Sequence, residues 1–180
     1  MSIGEFLFQM TEAIRQTPIV EFSLWVSDWP FALWLQSNFL AIPGFQTLHI
    51  LAIAVLFGST LMLNLKVLGV SGKDQTLPQI FNRYQPWIKG GALVLITTGI
   101  ILLISEPVRN MVNPIFWIKM GVLIVTIIVS LWFQAAVRGR MEQWEVSPGG
   151  QGSIKLGAVA LIVLWMLVMV GGRWIAYAPV

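Results

Sequence analysis

Four runs of apolar residues, at about 44–68, 87–104, 114–136 and 154–176, constrain this chain more than any other feature. A helix needs roughly 20 residues to cross the hydrocarbon core of a bilayer. Lipid offers backbone N–H and C=O groups no partner, so segments of this length cross as helices. The expected fold is therefore all-α: an integral membrane four-helix bundle over residues 42–180. Composition agrees. Apolar residues make up 57% of the chain and charged residues 11%, against about 25% charged in a soluble domain.

Pro43, Pro86 and Pro114 open the first three runs, as proline is tolerated in a helix's first turn. Trp87, Trp117, Trp132 and Trp174 mark span ends, where an interfacial aromatic belt is expected. The first and third spans each carry an embedded lysine, while the last has charges only near its two ends, Lys155 and Arg173.

Residues 1–41 read differently. Ile3, Phe6, Leu7, Met10 and Ile14 recur at helical spacing, with Glu5, Gln9, Glu12 and Gln16 mostly opposite. That pattern predicts an amphipathic helix lying on the membrane surface. Neither the basic start nor the unbroken apolar core of a secretory signal is present. Ser27-Asp28-Trp29-Pro30 reads as the cap of a second short helix through about Phe39, with Trp29, Trp34 and Phe39 at headgroup depth.

Basic residues set the expected orientation. Lys66, Lys73, Arg83, Lys89, Arg138, Arg140 and Lys155 flank the loops after spans one and three; Arg15, Arg109, Lys119 and Arg173 lie toward the other side. Seven against four favours cytoplasmic placement of the first group. Both termini and the 105–113 loop would then face outward, in a multi-pass membrane protein.

Several function classes are excluded. The chain has no cysteine and a single histidine, His49. Thiol catalysis, iron–sulfur clusters, Cys-ligated zinc and any multi-histidine site within one chain are therefore absent. No Ser/His/Asp set, phosphate-binding glycine loop or Glu-x-x-His signature occurs. The net charge of +3 includes no basic stripe suited to nucleic acid.

Depth in the bilayer then organises the candidates. His49 lies about five residues into span one and Lys119 about five into span three, both from the outer side; Met169, Arg173, Trp174 and Tyr177 end span four there. At about 1.5 Å per residue these groups fall within roughly 10 Å of each other in height. Ionisable groups in a bilayer are costly and mark function by default. His49 is either a neutral histidine bonded to a neighbouring helix, helped by Gln46 one turn earlier, or a haem iron ligand. Lys119 and Arg173 either snorkel and anchor or hold anionic groups such as haem propionates. Met120 and Met169 are packing residues or soft ligands, for iron or for copper(I) together with His49 and Met111. Met62 lies 13 residues beyond His49, about 20 Å away, and cannot share an iron with it. Asn64 and Lys66 read as helix-contact or interfacial groups, and Glu106 with Arg109 as an ion pair in the outer loop.

Leu33-Trp34-Leu35-Gln36-Ser37, Gly44 through Leu51, Gly58, Asn64-Leu65-Lys66, Pro86-Trp87, Thr98-Gly99, Asn113-Pro114 with Lys119-Met120, and Gly172 through Tyr177 together resemble an uncharacterised family of small four-span bacterial inner-membrane proteins. The resemblance covers most of the chain after about residue 30. That family's pattern has a first-span histidine, which falls on His49. It often has aspartate and arginine around the positions of Asn64 and Lys66, and the chain departs at the former. More distantly, Leu48-His49-Ile50 and Phe116 through Gly121 are similar to the HemJ-type protoporphyrinogen oxidases and the CopD-type copper-resistance domain. In HemJ-type proteins the histidine and lysine matter for haem association, which implies His49 and Lys119 here.

The sequence expectation is thus a haem-b-binding membrane protein with a redox or haem-handling role. His49 is the axial ligand, Lys119 and Arg173 pair the propionates, and Met120 or Met169 is a sixth ligand. Two alternatives come from other classes: a non-catalytic accessory subunit of a larger complex, and a copper-handling protein. A homodimer or trimer is expected, because a small bundle has few enclosed faces for Gln46, His49, Asn64 and Lys119. Gly91, Gly99, Gly121 and Gly157 offer close helix approach.

Overall fold

The computed structural model describes residues 3–72, 74–141, 144 and 151–177. Lys73, counted in the charge bias, lies outside them, as do the first two and last three residues of the two expected regions. The described residues are all helical or irregular, with no strand among them. Three short helices come first: α1 (Ile3–Arg15), α2 (Ile19–Ser27) and α3 (Pro30–Ser37). The long helices α4 (Ala41–Val67), α5 (Leu77–Ser105), α7 (Pro114–Gly139) and α8 (Gly152–Trp174) form the bundle, with the six-residue α6 (Pro107–Val112) joining α5 to α7. A 3₁₀ turn, Ile175–Tyr177, follows α8. All four long helices are long and apolar enough to cross a membrane. Their outer faces stay apolar: Ile128 is 60% exposed and Leu131 64%. Water would not tolerate such contiguous apolar surface, so the faces belong against lipid.

Two compact units divide the chain. The first comprises Met1–Leu51, Val94–Gly121 and Met169–Val180, and the second Ala52–Leu93 and Val122–Val168. The first unit therefore collects the starts of α4 and α7, the ends of α5 and α8, and the short helices. In it α2 packs against α6, and α1 touches both. Gln36 on α3 donates to the Ser105 carbonyl at the end of α5, at 3.0 Å. Asn113 is fully buried between α6 and α7. Its Oδ1 accepts from Ile115 N–H at 2.9 Å, capping α7 behind Pro114, and its Nδ2 donates to Ile175 O at 2.9 Å. An N-cap side chain satisfies one of the helix's free N–H groups; here the same residue also ties α7 to the end of α8.

The second unit holds an apolar core that includes Leu63 and Val67 of α4, Leu77 and Phe81 of α5, Phe133 of α7 and Leu161 of α8. Gly91 lets α5 approach α4 closely. A Cβ at Gly91 would lie 3.0 Å from Leu56 Cβ and 3.3 Å from its Cα and N. Lys66 ties the turn after α4 by donating to Gly72 O at 2.8 Å and also to Gln75 O. Gly72, at φ +70°, meets the side chain of Ile80 where a Cβ would be. Asn64 is fully buried, and neither of its amide atoms has a hydrogen-bond partner among the described residues.

The helices depart from the sequence expectation in four places. Pro86 does not open α5 but lies inside it, and the helix begins at Leu77. The residues before the proline supply Leu77, Ile80 and Phe81, spaced three and four apart and all buried. Proline frees only the carbonyl four residues back, on the exposed Asn82, so core burial outweighs the lost bond. The N-terminal region contains an additional helix, α2. The expected cap at Ser27-Asp28 is not formed: α3 starts behind Trp29 without a side-chain cap and with Pro30 at its first position, and Ser27 Oγ bonds back to Ser23 O at 3.0 Å. The 105–113 segment is the helix α6 rather than a loop, and its Glu106–Arg109 pair forms at 3.0 Å.

Candidate functional site

All six expected site residues, Gln46, His49, Lys119, Met120, Met169 and Arg173, fall in the first unit. Helix lengths explain why. His49 is eight residues into α4 (41 to 49), and Thr98 is seven residues from the end of α5 (98 to 105). Lys119 is five residues into α7 (114 to 119). Gly171 is three residues from the end of α8 (171 to 174).

The half-buried His49 reaches the neighbouring helix. Its Nδ1 lies 2.7 Å from Oγ1 of Thr98, which is itself buried. The Thr98 hydroxyl has one hydrogen, and its oxygen is also 2.7 Å from Val94 O, the carbonyl one turn earlier on α5. With that hydrogen donated to the carbonyl, Oγ1 is left as an acceptor. His49 Nδ1–H then donates to it, and the ring is the tautomer with its lone pair on Nε2. A hydrogen bond at one ring nitrogen sets the state of the other. Nε2 itself has no hydrogen-bond partner among the described residues. Gly99 flanks the ring: a Cβ there would lie 3.6 Å from His49 Cε1, an ordinary contact.

Lys119 runs along α8. Its Cβ lies 3.4 Å from where a Gly171 Cβ would be, and its Nζ 3.6 Å from that of Gly172. Two successive glycines thus leave the channel that its stem occupies. It makes no ion pair or hydrogen bond among the described residues. The site therefore pairs an imidazole with a free Nε2 and an ammonium without a counter-ion.

The remaining expected residues are placed less centrally. Arg173 is exposed and engaged locally. Its Nη2 donates to Tyr177 Oη at 2.9 Å, and its guanidinium lies 5.2 Å from the Tyr177 ring centroid. Gln46 is exposed and takes no part in holding His49; Thr98 does that instead. Met120 follows Lys119, and Met169 lies one turn before Arg173; both are half-buried. Met111 is half-buried on α6, and its carbonyl accepts from Trp117 Nε1 at 2.8 Å. Among the described residues no group of three or more His, Cys, Asp or Glu side chains could hold a metal ion. Sequence reasoning passed over Thr98 and the Gly171-Gly172 pair as functional neighbours. Matching depth, counted from the helix ends as for His49 and Lys119, is the signal that would have found both.

These features define a multi-pass membrane protein whose single histidine is hydrogen-bonded to a neighbouring helix. The chain belongs to a family of unknown function, DUF6644, whose pattern matches residues 38–178. No curated protein and no solved structure matches it.

Proposed function

We propose that this protein binds haem b within its bundle and has a redox or haem-handling role, with His49 Nε2 as the axial ligand. The observation that carries the reading is the bond from His49 Nδ1 to Thr98 Oγ1 at 2.7 Å. Metal-ligating histidines characteristically donate their other N–H to a fixed acceptor, which orients the ring and raises its basicity. The donor set fits a porphyrin iron, because the macrocycle supplies four ligands and the chain need supply only one or two. Lys119, lacking a counter-ion, suits a propionate. Arg173 suits the second propionate, at the cost of its contact with Tyr177. Met120 or Met169 supplies a thioether for a sixth position, and Gln46 a polar group one turn from the ligand. Bound haem supplies one-electron iron chemistry; the chain's own residues orient the imidazole, hold the carboxylates and exclude water. One histidine allows five-coordinate or His/Met iron within a chain, or a haem shared between two chains. Kinship with the HemJ-type and CopD-type proteins belongs to this same reading.

The setting we infer is a bacterial inner membrane with both termini on the periplasmic side. Helices α1 to α3 lie in the interface, where the exposed Trp25, Trp29 and Trp34 suit headgroup depth. A homodimer or trimer completes the proposal, and light scattering corrected for detergent is expected to give two or three times 20.1 kDa. The deciding experiment is a visible spectrum of detergent-purified protein expressed with haem supplied. A Soret band is expected, lost in a membrane-inserted His49→Ala variant. Absence of the band refutes haem binding; stoichiometric copper in its place supports copper handling through His49, Met111, Met120 and Met169. A colourless, metal-free protein that co-purifies with a larger complex supports the accessory-subunit reading.

A further inference from the structure

Away from the His49 layer, the first unit contains a groove of about 670 Å³ lined by Arg15, Val20, Val108, Arg109 and Val112. That volume is in the range of ligand pockets, about 300–1,000 Å³. Its walls come from the end of α1, the start of α2 and one face of α6. Three valines make it apolar, and the only charges lining it are two guanidiniums. Each guanidinium is held from behind. Arg15 Nη1 is 3.0 Å from Glu12 Oε1, and Arg109 Nη1 is 3.0 Å from Glu106 Oε2. Neither carboxylate lines the groove. One nitrogen of each arginine is engaged, and a guanidinium carries five N–H donors, so donors remain for a ligand.

We propose that this groove binds an anionic phospholipid, its phosphate held by Arg15 and Arg109 and the beginning of an acyl chain laid on Val20, Val108 and Val112. Three observations select that occupant. The apolar lining disfavours a fully hydrated inorganic anion, whose shell the valines cannot replace. The carboxylates paired with the two guanidiniums lie outside the lining, so the groove itself presents only positive groups, which disfavour the choline of a zwitterionic lipid and favour a net negative headgroup. And α6 links the end of one apolar helix, α5, to the start of another, α7, which puts the groove at the height where headgroups lie. The site is independent of haem.

The test is native mass spectrometry of the delipidated full chain, titrated with phosphatidylglycerol and phosphatidylcholine of matched acyl chains. Wild type is expected to prefer phosphatidylglycerol severalfold, less than the roughly 30-fold that two unpaired basic side chains near a membrane surface would give. The R15Q/R109Q double variant is expected to lose the preference. R138Q/K155Q removes two exposed charges elsewhere and is expected to keep it. Because the double arginine variant also breaks two ion pairs, Val108→Asp provides a second route: it leaves both pairs intact, places a carboxylate in the groove and is expected to abolish the preference. Equal binding of the two lipids by wild type overturns the proposal. So does an equal loss in R138Q/K155Q, which would make the attraction diffuse, or an unchanged preference in a folded Val108→Asp protein.

Discussion

Replacing Thr98 by valine tests the reasoning at its narrowest point. Valine has the branched shape of threonine, so packing around Gly99 and the imidazole is retained. What disappears is the acceptor 2.7 Å from His49 Nδ1. The Nδ1–H then has no partner in a half-buried site, and nothing selects the tautomer with a free Nε2. Side-chain hydrogen bonds between membrane helices are worth about 0.6 kcal/mol on average and about 1.7 at most. At about 1.4 kcal/mol per factor of ten, haem affinity in T98V should fall roughly 3- to 20-fold. The upper end meets the range of about 10- to 100-fold typical for losing an outer-shell partner of a metal-bound histidine. The assay is titration of the apoprotein in detergent with haem, read at the Soret band, for wild type, T98V and T98S. Serine keeps the hydroxyl and is expected to restore most of the affinity. A T98V titration that superimposes on wild type, in a protein where His49→Ala abolishes binding, would refute the orienting role. If T98S binds as weakly as T98V, helix packing rather than the hydroxyl is responsible.

Three further outcomes are expected. Lys119→Ala should weaken haem retention less than loss of His49 does, by about 1 kcal/mol or roughly fivefold, because a propionate pair near the interface is partly solvated; dissociation to excess apomyoglobin measures it. Gly91→Ala should destabilise the bundle by about 1–3 kcal/mol, since the added methyl meets the Leu56 backbone at 3.3 Å and the helices must separate; thermal unfolding in detergent reads this as a lower midpoint. Asn64→Leu should raise that midpoint, because it removes a fully buried amide with no partner, a burden of about 1–3 kcal/mol. A lowered midpoint would mean that Asn64 does have a partner, most simply a buried water.

The sequence by itself determined the membrane-spanning helices, because lipid leaves a long apolar segment one way to satisfy its backbone. Rise per residue converts position along a span into height, so the sequence also predicts which residues share a layer. That arithmetic put His49, Lys119 and Arg173 together, and all three fall in one unit. Height says nothing about rotation around a helix axis, and rotation decides which side chains touch. Only the tertiary structure therefore joined His49 to Thr98 rather than Gln46, laid Lys119 along Gly171 and Gly172, and turned Arg173 toward Tyr177. The same limit explains α5. A proline read locally ends a helix, but burial of Leu77, Ile80 and Phe81 in the core of the second unit carries the helix through Pro86. That burial is a long-range property, supplied by α4, α7 and α8.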